Sequence, residues 1–281
     1  MSLEQDLSLE KAPLGKQSEY PDTYSRELLF PIPRRDNRAK LGLEDGEWPG
    51  YGEDLWQAWE ISWLRPGGLP AVAWARIRIP CDSPNLIESK SFKLYLNSLN
   101  QKEFDSESEV RSCIERDVGQ YCGAEVTVEL VAIDQAMTAL GQPSEAIVID
   151  QQAISDVGFE YRPTLLGQEP APAGVVEEVL CSHLLKSNCP VTGQPDWGSV
   201  VVRYRGRPLD REGLLRYIVG FRQHQDFHEH CVETIFQDLI KQCDLEALTV
   251  SAHYTRRGGL DINPWRSTEP GSAPAIRLVR Q

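Results

Sequence analysis

A cysteine lies in a stretch built of turn residues, Ser187-Asn188-Cys189-Pro190-Val191-Thr192-Gly193-Gln194-Pro195-Asp196-Trp197. Prolines and a glycine hold such a segment as a rigid turn between strand-like flanks. A thiol fixed there, with Lys186 beside it and Asp196 seven positions on, suits a nucleophile better than core filling. The plainer reading is a half-buried structural cysteine. Asp196 does not make the thiolate more nucleophilic by its charge, because one anion disfavours a second. It serves better as a proton carrier: a cysteine and an aspartic acid share one proton, and the acid delivers it as negative charge develops on a substrate. Taken alone, Asp196 also reads as an ordinary turn aspartate.

Three further groups carry chemistry. In Asp226-Phe227-His228-Glu229-His230, a helix begins, capped by Asp226 or a neighbour. Phe227 offers a flat apolar face, His228 an acid or base, and Glu229 a fixed carboxylate; a glutamate in a first turn is favourable through the dipole in any case. In Asn85-Leu86-Ile87-Glu88-Ser89-Lys90-Ser91-Phe92-Lys93, backbone N–H groups at a helix start are suited to phosphate. Lys90 and Lys93, one turn apart, share a face toward an anion; a surface Glu88–Lys90 pair is the bland alternative. Finally, Arg256-Arg257-Gly258-Gly259 joins two free-backbone glycines to guanidinium forks that suit phosphate oxygens, or else is a solvated basic loop.

Several motifs are absent. There is no Gly-x-Gly-x-x-Gly, Walker loop, His-Glu-x-x-His or Cys-x-x-Cys, so a nicotinamide cofactor on a doubly wound sheet is disfavoured. Cys181, His183 and Cys189 with a distant histidine make a conceivable zinc set, but without the usual knuckle spacing.

These residues need elements to position them. Leu69 to Pro80 alternates, with Ala71, Ala73, Ala75, Ile77 and Ile79 on one side, and predicts a strand. Ser89 to Leu99 switches to helical spacing through Phe92, Leu96 and Leu99, and Ser108 to Tyr121 continues it through Val110, Ile114 and Val118. Ala124 to Ala132 is a strand again. The second half repeats the order: strand 200–204, helix 210–221 with Asp210 as N-cap, helix 228–242 and a closing strand 245–254. Cys122 and Cys243 each precede the last strand of their half, 121 apart, and the same shift lays Ile114 on Ile235. The spacing suggests two copies of a strand–helix–helix–strand unit, each an antiparallel sheet with both helices on one face. Residues 1–67 read as an arm of short strands packed by Trp48, Trp56, Trp59 and Trp63; a first module covers 68–160 and a second 161–281.

Composition bounds the partners. Seven cysteines without framework spacing argue for free thiols rather than disulfides. A net charge of −13 is poorly suited to gripping a nucleic acid backbone, although a phosphorylated small molecule needs only a few local cations. The apolar runs are too short to span a bilayer, and the first fifteen residues, MSLEQDLSLEKAPLG, carry acids where a leader needs an apolar core. The expectation is a cytoplasmic protein with no membrane partner.

The run Glu88-Ser89-Lys90-Ser91-Phe92-Lys93-Leu94-Tyr95, the Ser187–Trp197 stretch, Phe227-His228-Glu229 and Arg257-Gly258-Gly259-Leu260-Asp261-Ile262-Asn263-Pro264 together resemble the signatures of the NADPH-dependent 7-cyano-7-deazaguanine reductase family, in its long two-module form. Four separated motifs in order cover nearly the whole chain. The resemblance implies an α+β tunnelling fold of two tandem modules, a homodimer, and reduction of a nitrile to an aminomethyl group in queuosine synthesis, part of a tRNA modification pathway. It implies two NADPH as co-substrate, no metal and no direct nucleic acid contact. It assigns Cys189 to a thioimide and Asp196 to proton supply, with His228 assisting at the substrate. Ile87, Glu88, Ser89, Phe227 and Glu229 would meet the deazaguanine, and Ser89, Lys90, Arg257 and Gly258 the NADPH.

Overall fold

The computed structural model describes residues 23–133, 135, 145–155, 158–170 and 174–281. The first fifteen residues, read above for a leader, lie outside the described residues. The chain divides into two compact units, one within Met1–Glu47, Leu55–Met137 and Arg256–Asp261, the other within Trp48–Asp54, Thr138–Thr255 and Ile262–Gln281.

In the first unit the order is β1 (Pro31–Pro33), α1 (Arg35–Lys40), β2 (Tyr51–Leu64, of which the unit takes the part from Leu55 on), β3 (Pro70–Pro80), β4 (Asn85–Ile87), α2 (Ser89–Ser98), α3 (Glu107–Cys122) and β5 (Thr127–Val131). The sheet runs β5-β3-β2, and β1 pairs with β4 apart from it. Helix α2 turns Phe92, Tyr95 and Leu96 into the core, and Phe92 packs edge-on against Trp56 at 5.0 Å. Helix α3 starts where Ser106 accepts from the Glu109 N–H at 3.2 Å. It stops at Gly123, whose φ of +77° is the left-handed end that glycine adopts without penalty. The arm expected to hold short strands contains, in β2, a strand of 14 residues.

The second unit continues with β6 (Ile147–Val148), β7 (Val176–Ser182), β8 (Lys186–Asn188), β9 (Pro195–Gly206), α4 (Arg211–Gly220), α5 (His228–Gln242), β10 (Leu245–Tyr254) and β11 (Leu260–Ser267). Its strand order is β11-β10-β9-β7-β6, with β8 on β9. All these pairs are antiparallel except β6 with β7, so the expected purely antiparallel sheet carries one short parallel edge. Asp210 caps α4, accepting from the Glu212 and Gly213 N–H groups at 3.0 and 3.1 Å. Strand β11, read from sequence as a loop after the last strand, is buried along all eight residues.

The duplication expected from the cysteine spacing has a polar counterpart. In the first unit Asp117 Oδ2 accepts from Tyr24 and Tyr95 hydroxyls at 2.6 and 2.8 Å. In the second, Asp238 Oδ2, 121 positions on, accepts from Tyr161 and Tyr217 at 2.7 and 2.6 Å. In both units the first helix, a short 3₁₀ turn and the second helix follow in the same order. The fold is α+β with helices packed on a sheet, the tunnelling-fold architecture.

Candidate active site

The second unit builds the cysteine site from a hairpin. Strands β8 and β9 pair with Ser187 opposite Asp196 and Asn188 opposite Pro195, which leaves Cys189 to open the turn and Gln194 to close it. The Cys189 N–H donates to the Gln194 carbonyl and the Gly193 N–H to the Cys189 carbonyl, each at 2.9 Å. Gly193 takes φ +66°, which a glycine allows at little cost. The result is a closed turn that holds Cys189, itself 7% exposed, between two fixed strand ends.

A second loop is stapled to this turn through the backbone. The Asn188 N–H donates to the His224 carbonyl at 2.8 Å, and the Asp226 N–H to the Asn188 carbonyl at 3.0 Å. Lys186 Nζ donates to Asn188 Oδ1 at 2.6 Å and to the Arg222 carbonyl at 2.7 Å. Its charge therefore braces the two loops. These bonds bring the start of α5 to the cysteine turn. His228 Nε2 stands 3.2 Å from Asp196 Oδ1, and both groups are mostly shielded from water. Glu229, 2% exposed, is fixed in the first turn, and Phe227 sits at the N-cap.

Of the two N-cap options, Asp226 or a neighbour, the structure takes the neighbour, Phe227, and Asp226 turns to other partners. Its Oδ1 accepts from the Phe227 N–H at 2.9 Å and lies 3.2 Å from His230 Nδ1, while Oδ2 is 3.6 Å from His224 Nε2. Burial alone would raise its pKa, but His224 and His230 outweigh that and hold it below the usual carboxylate range. Asp226 thus fixes the two residues that flank Phe227-His228-Glu229.

The first unit holds the remaining candidates. Ile87 ends β4 and is buried; Glu88 is the N-cap of α2. Each Glu88 oxygen accepts a backbone N–H, from Lys90 at 2.7 Å and Ser91 at 2.8 Å, with the residue 1% exposed. Burial raises its pKa, and the two N–H bonds offset this only in part. The expectation of a phosphate on these backbone N–H groups is corrected here, since the Glu88 carboxylate already takes them. The Ser89 hydroxyl donates to the same carboxylate, at 3.4 Å from Glu88 Oε1.

Residues 257–260 form a tight turn in which the Arg257 N–H donates to the Leu260 carbonyl at 2.8 Å. Gly258 and Gly259 have φ +55° and +84°, the signature of a turn with both central residues left-handed. A Cβ on Gly258 would lie 2.8 Å from Lys93 Cδ and 2.9 Å from its Nζ, so the glycine lets the Lys93 chain lie across the backbone. Beside them opens a cavity of about 330 Å³, lined in part by Trp59, Lys93, Asn97, Asn100, Gly258 and Gly259. A cradle of glycine backbone and a lysine chain fits a phosphorylated cofactor. Asn97 and Asn100 escaped the sequence reading; the signal was present as a polar stripe with Lys93 at i, i+4 and i+7.

The alternative zinc set finds no geometry. Cys181 packs with the apolar side chains of Val179 and Val201. His183 Nδ1 lies 2.8 Å from Ser199 Oγ. Among the described residues no group of three or more His, Cys, Asp or Glu side chains is arranged to hold a metal, and no helix is long and apolar enough to cross a membrane.

Comparison with known proteins covers most of these segments, the Cys189 turn lying between the two matched regions. Residues 20–130 match the family model described as nitrile reductase, 7-cyano-7-deazaguanine-reductase N-term, and residues 195–272 the model for QueF-like protein. The chain is similar to an NADPH-dependent 7-cyano-7-deazaguanine reductase of Chromohalobacter salexigens, 54% identical over 99% of each chain. It is also similar to that of Bordetella avium, 52% identical over 98% of this chain and 100% of the relative. Among solved structures, the apo archaeosine synthase QueF-Like is similar at 17% identity and a TM-score of 0.30, over 37% of this chain and 99% of that one, too remote a likeness to carry an argument.

Proposed function

Because this chain belongs to the NADPH-dependent 7-cyano-7-deazaguanine reductase family, we propose that it reduces the nitrile of 7-cyano-7-deazaguanine to a primary amine through a covalent bond to Cys189. The observation that carries the mechanism is the closed Cys189 turn stapled to a loop whose His228 stands 3.2 Å from Asp196. A nitrile carbon is electrophilic but has no leaving group, so direct hydride addition would build charge on nitrogen. The Cys189 sulfur forms a bond to that carbon as one C–N π bond breaks, and Asp196 delivers a proton to the nitrogen. The product is a neutral thioimide, a better hydride acceptor than the nitrile. NADPH, when bound at Ser89, Lys90, Arg257 and Gly258, supplies hydride, two equivalents for each amine formed. Once the carbon is reduced, the nitrogen lone pair expels the Cys189 sulfur and leaves an imine for the second reduction. His228 exchanges protons with Asp196 through these steps. The covalent bond keeps the early intermediate from escaping.

Carboxylates at Glu88 and Glu229 suit the N–H donors clustered on a guanine-like edge, with the Ile87–Ser89 backbone alongside. Phe227 stacks on the bicycle, worth about 0.5–1.5 kcal/mol beyond burial. No metal enters this reading, and the working form is a cytoplasmic homodimer. The test is mass spectrometry of the protein with the nitrile and no NADPH. The Cys189 peptide should gain the full mass of the substrate, and Cys189→Ala should show neither adduct nor turnover while unfolding like the parent. An unmodified Cys189 peptide from active enzyme would sink the mechanism.

A further inference from the structure

Behind the His228–Asp196 pair lies a tyrosine with no role so far. Tyr254 ends β10, is 1% exposed, and lays its ring on the His228 imidazole, centroids 4.0 Å apart and planes inclined by 37°. Its cross-strand partner on β9 is Gly198, two residues past Asp196. A Cβ there would meet Tyr254 Cδ1 and Cε1 at 3.1 and 3.2 Å, tighter than ordinary contact, although the backbone at Gly198 does not demand a glycine. The missing side chain is what lets the ring lie across the strand toward His228. Arg280 donates to the Gly198 carbonyl at 2.7 Å and Gln281 to the Tyr254 carbonyl at 3.2 Å, which pins both strands under the ring.

We infer that Tyr254 is a positioning residue for the reaction: with Gly198 clearing its path, its ring fixes the His228 imidazole in the orientation that keeps Nε2 on Asp196. The inference rests on the proton-carrying role proposed for that pair. The ring, not the hydroxyl, does this. The hydroxyl is buried among groups other than the imidazole: burial, then the nearby Cys231 and Asp196, hold its pKa well above the ordinary tyrosine value, and the side chains that hydrogen-bond with it are Cys231 and Ser187, not His228. It is not an acid at working pH. An imidazole at the start of a helix has open space on one side; the ring removes that freedom, and a misplaced proton carrier costs turnover more than binding.

Three variants and a double test this. Tyr254→Phe should keep kcat within about threefold of the parent, while Tyr254→Leu should lower kcat by about 10–100-fold with little change in KM for the nitrile. Gly198→Ala should lower kcat in the same sense, and the Gly198→Ala/Tyr254→Leu double should be no slower than Tyr254→Leu alone, because both act through one ring. The NMR signal of the His228 ring C–H should lose its upfield ring-current shift in Tyr254→Leu and keep it in Tyr254→Phe. Equal losses in the Phe and Leu variants, or parent kcat in Tyr254→Leu, would overturn the inference. If Tyr254→Leu does not fold, parent kcat in Gly198→Ala would overturn it. The underlying reading is checked separately: a His228→Ala protein with full kcat refutes proton transfer at the pair, whatever the NMR shows.

Discussion

At the scale of single residues, the acid proposed for the site is defined by what surrounds it. Asp196 is 5% exposed and faces His228 at 3.2 Å, with the Cys189 turn on its own hairpin. Replacing it by Asn keeps the shape and removes the exchangeable proton. Asp196→Asn should therefore lower kcat by about two orders of magnitude or more, roughly 3 kcal/mol of barrier, with the nitrile KM nearly unchanged. Steady-state kinetics across the pH range decides it, and a parent-like kcat at every pH would remove Asp196 from proton transfer. The tight turn that holds Cys189 beside Asp196 was legible in the sequence because its prolines and glycine mark a turn between strand-like flanks. Tyr254 was not: it sits inside an alternating strand, and only the register that sets it opposite Gly198 gives it a neighbour in the site. Asp226 was half legible: its place before the helix was readable, its contacts with His224 and His230 were not.

At the scale of elements, helices α2 and α4 occupy equivalent places and each begins at an acidic N-cap, yet their caps differ in burden. Asp210 only caps. Glu88 caps too, but it is almost wholly buried, and it is also the carboxylate proposed for the substrate. Asp210→Ala should cost about 1 kcal/mol of stability and leave both KM values alone. Glu88→Ala should cost at least as much stability and also raise the nitrile KM. Urea unfolding beside kinetics separates the two, and a Glu88→Ala protein impaired in only one respect would show that the residue has a single task. Elements with a clean period were readable to the residue: α5 and β10 end where periodicity and flanking residues place them. β11 was missed because it has none. Both its faces are buried, and its Asp261 and Arg266 are held inside by partners, Asp261 accepting from Trp59 Nε1 at 2.6 Å and Arg266 donating to Asp54 and Glu233, each at 2.8 Å. A strand whose charges are paired in the interior looks like a loop when only polarity is counted. β2 hid for the same reason, with Asp54 buried in its run.

At the scale of the whole molecule, the doubled tyrosine–aspartate clasps are alike in geometry and opposite in charge balance. Burial works against ionisation at both aspartates. At Asp117 the hydroxyls of Tyr24 and Tyr95 together with Arg116 overcome it and lower the pKa, whereas at Asp238 burial prevails and raises it. Acid response must therefore be a sum of opposing terms. One group can be isolated. His253 is buried, and desolvation lowers its pKa from 6.5 to about 4, with Asn263 opposing only in part. Between those values the unfolded chain binds a proton there that the folded chain refuses, so stability falls as pH falls through this window and is fully present above 6.5. The shift amounts to roughly 3 kcal/mol between about pH 7 and pH 4. The raised carboxyls of Glu88 and Asp238 pull the other way as they take up protons in the folded state, while the lowered carboxyls of Asp117 and Asp226 add to the loss, so the parent's net change is the sum of all of them. A His253→Asn variant keeps those opposing terms and lacks the histidine. Whatever its stability at pH 7, it should lose about 3 kcal/mol less than the parent on acidification, read as the difference in urea midpoints at the two pH values. Parallel curves for parent and variant would mean that His253 accepts its proton inside the fold, and that the interior around β10 is wetter than its packing implies.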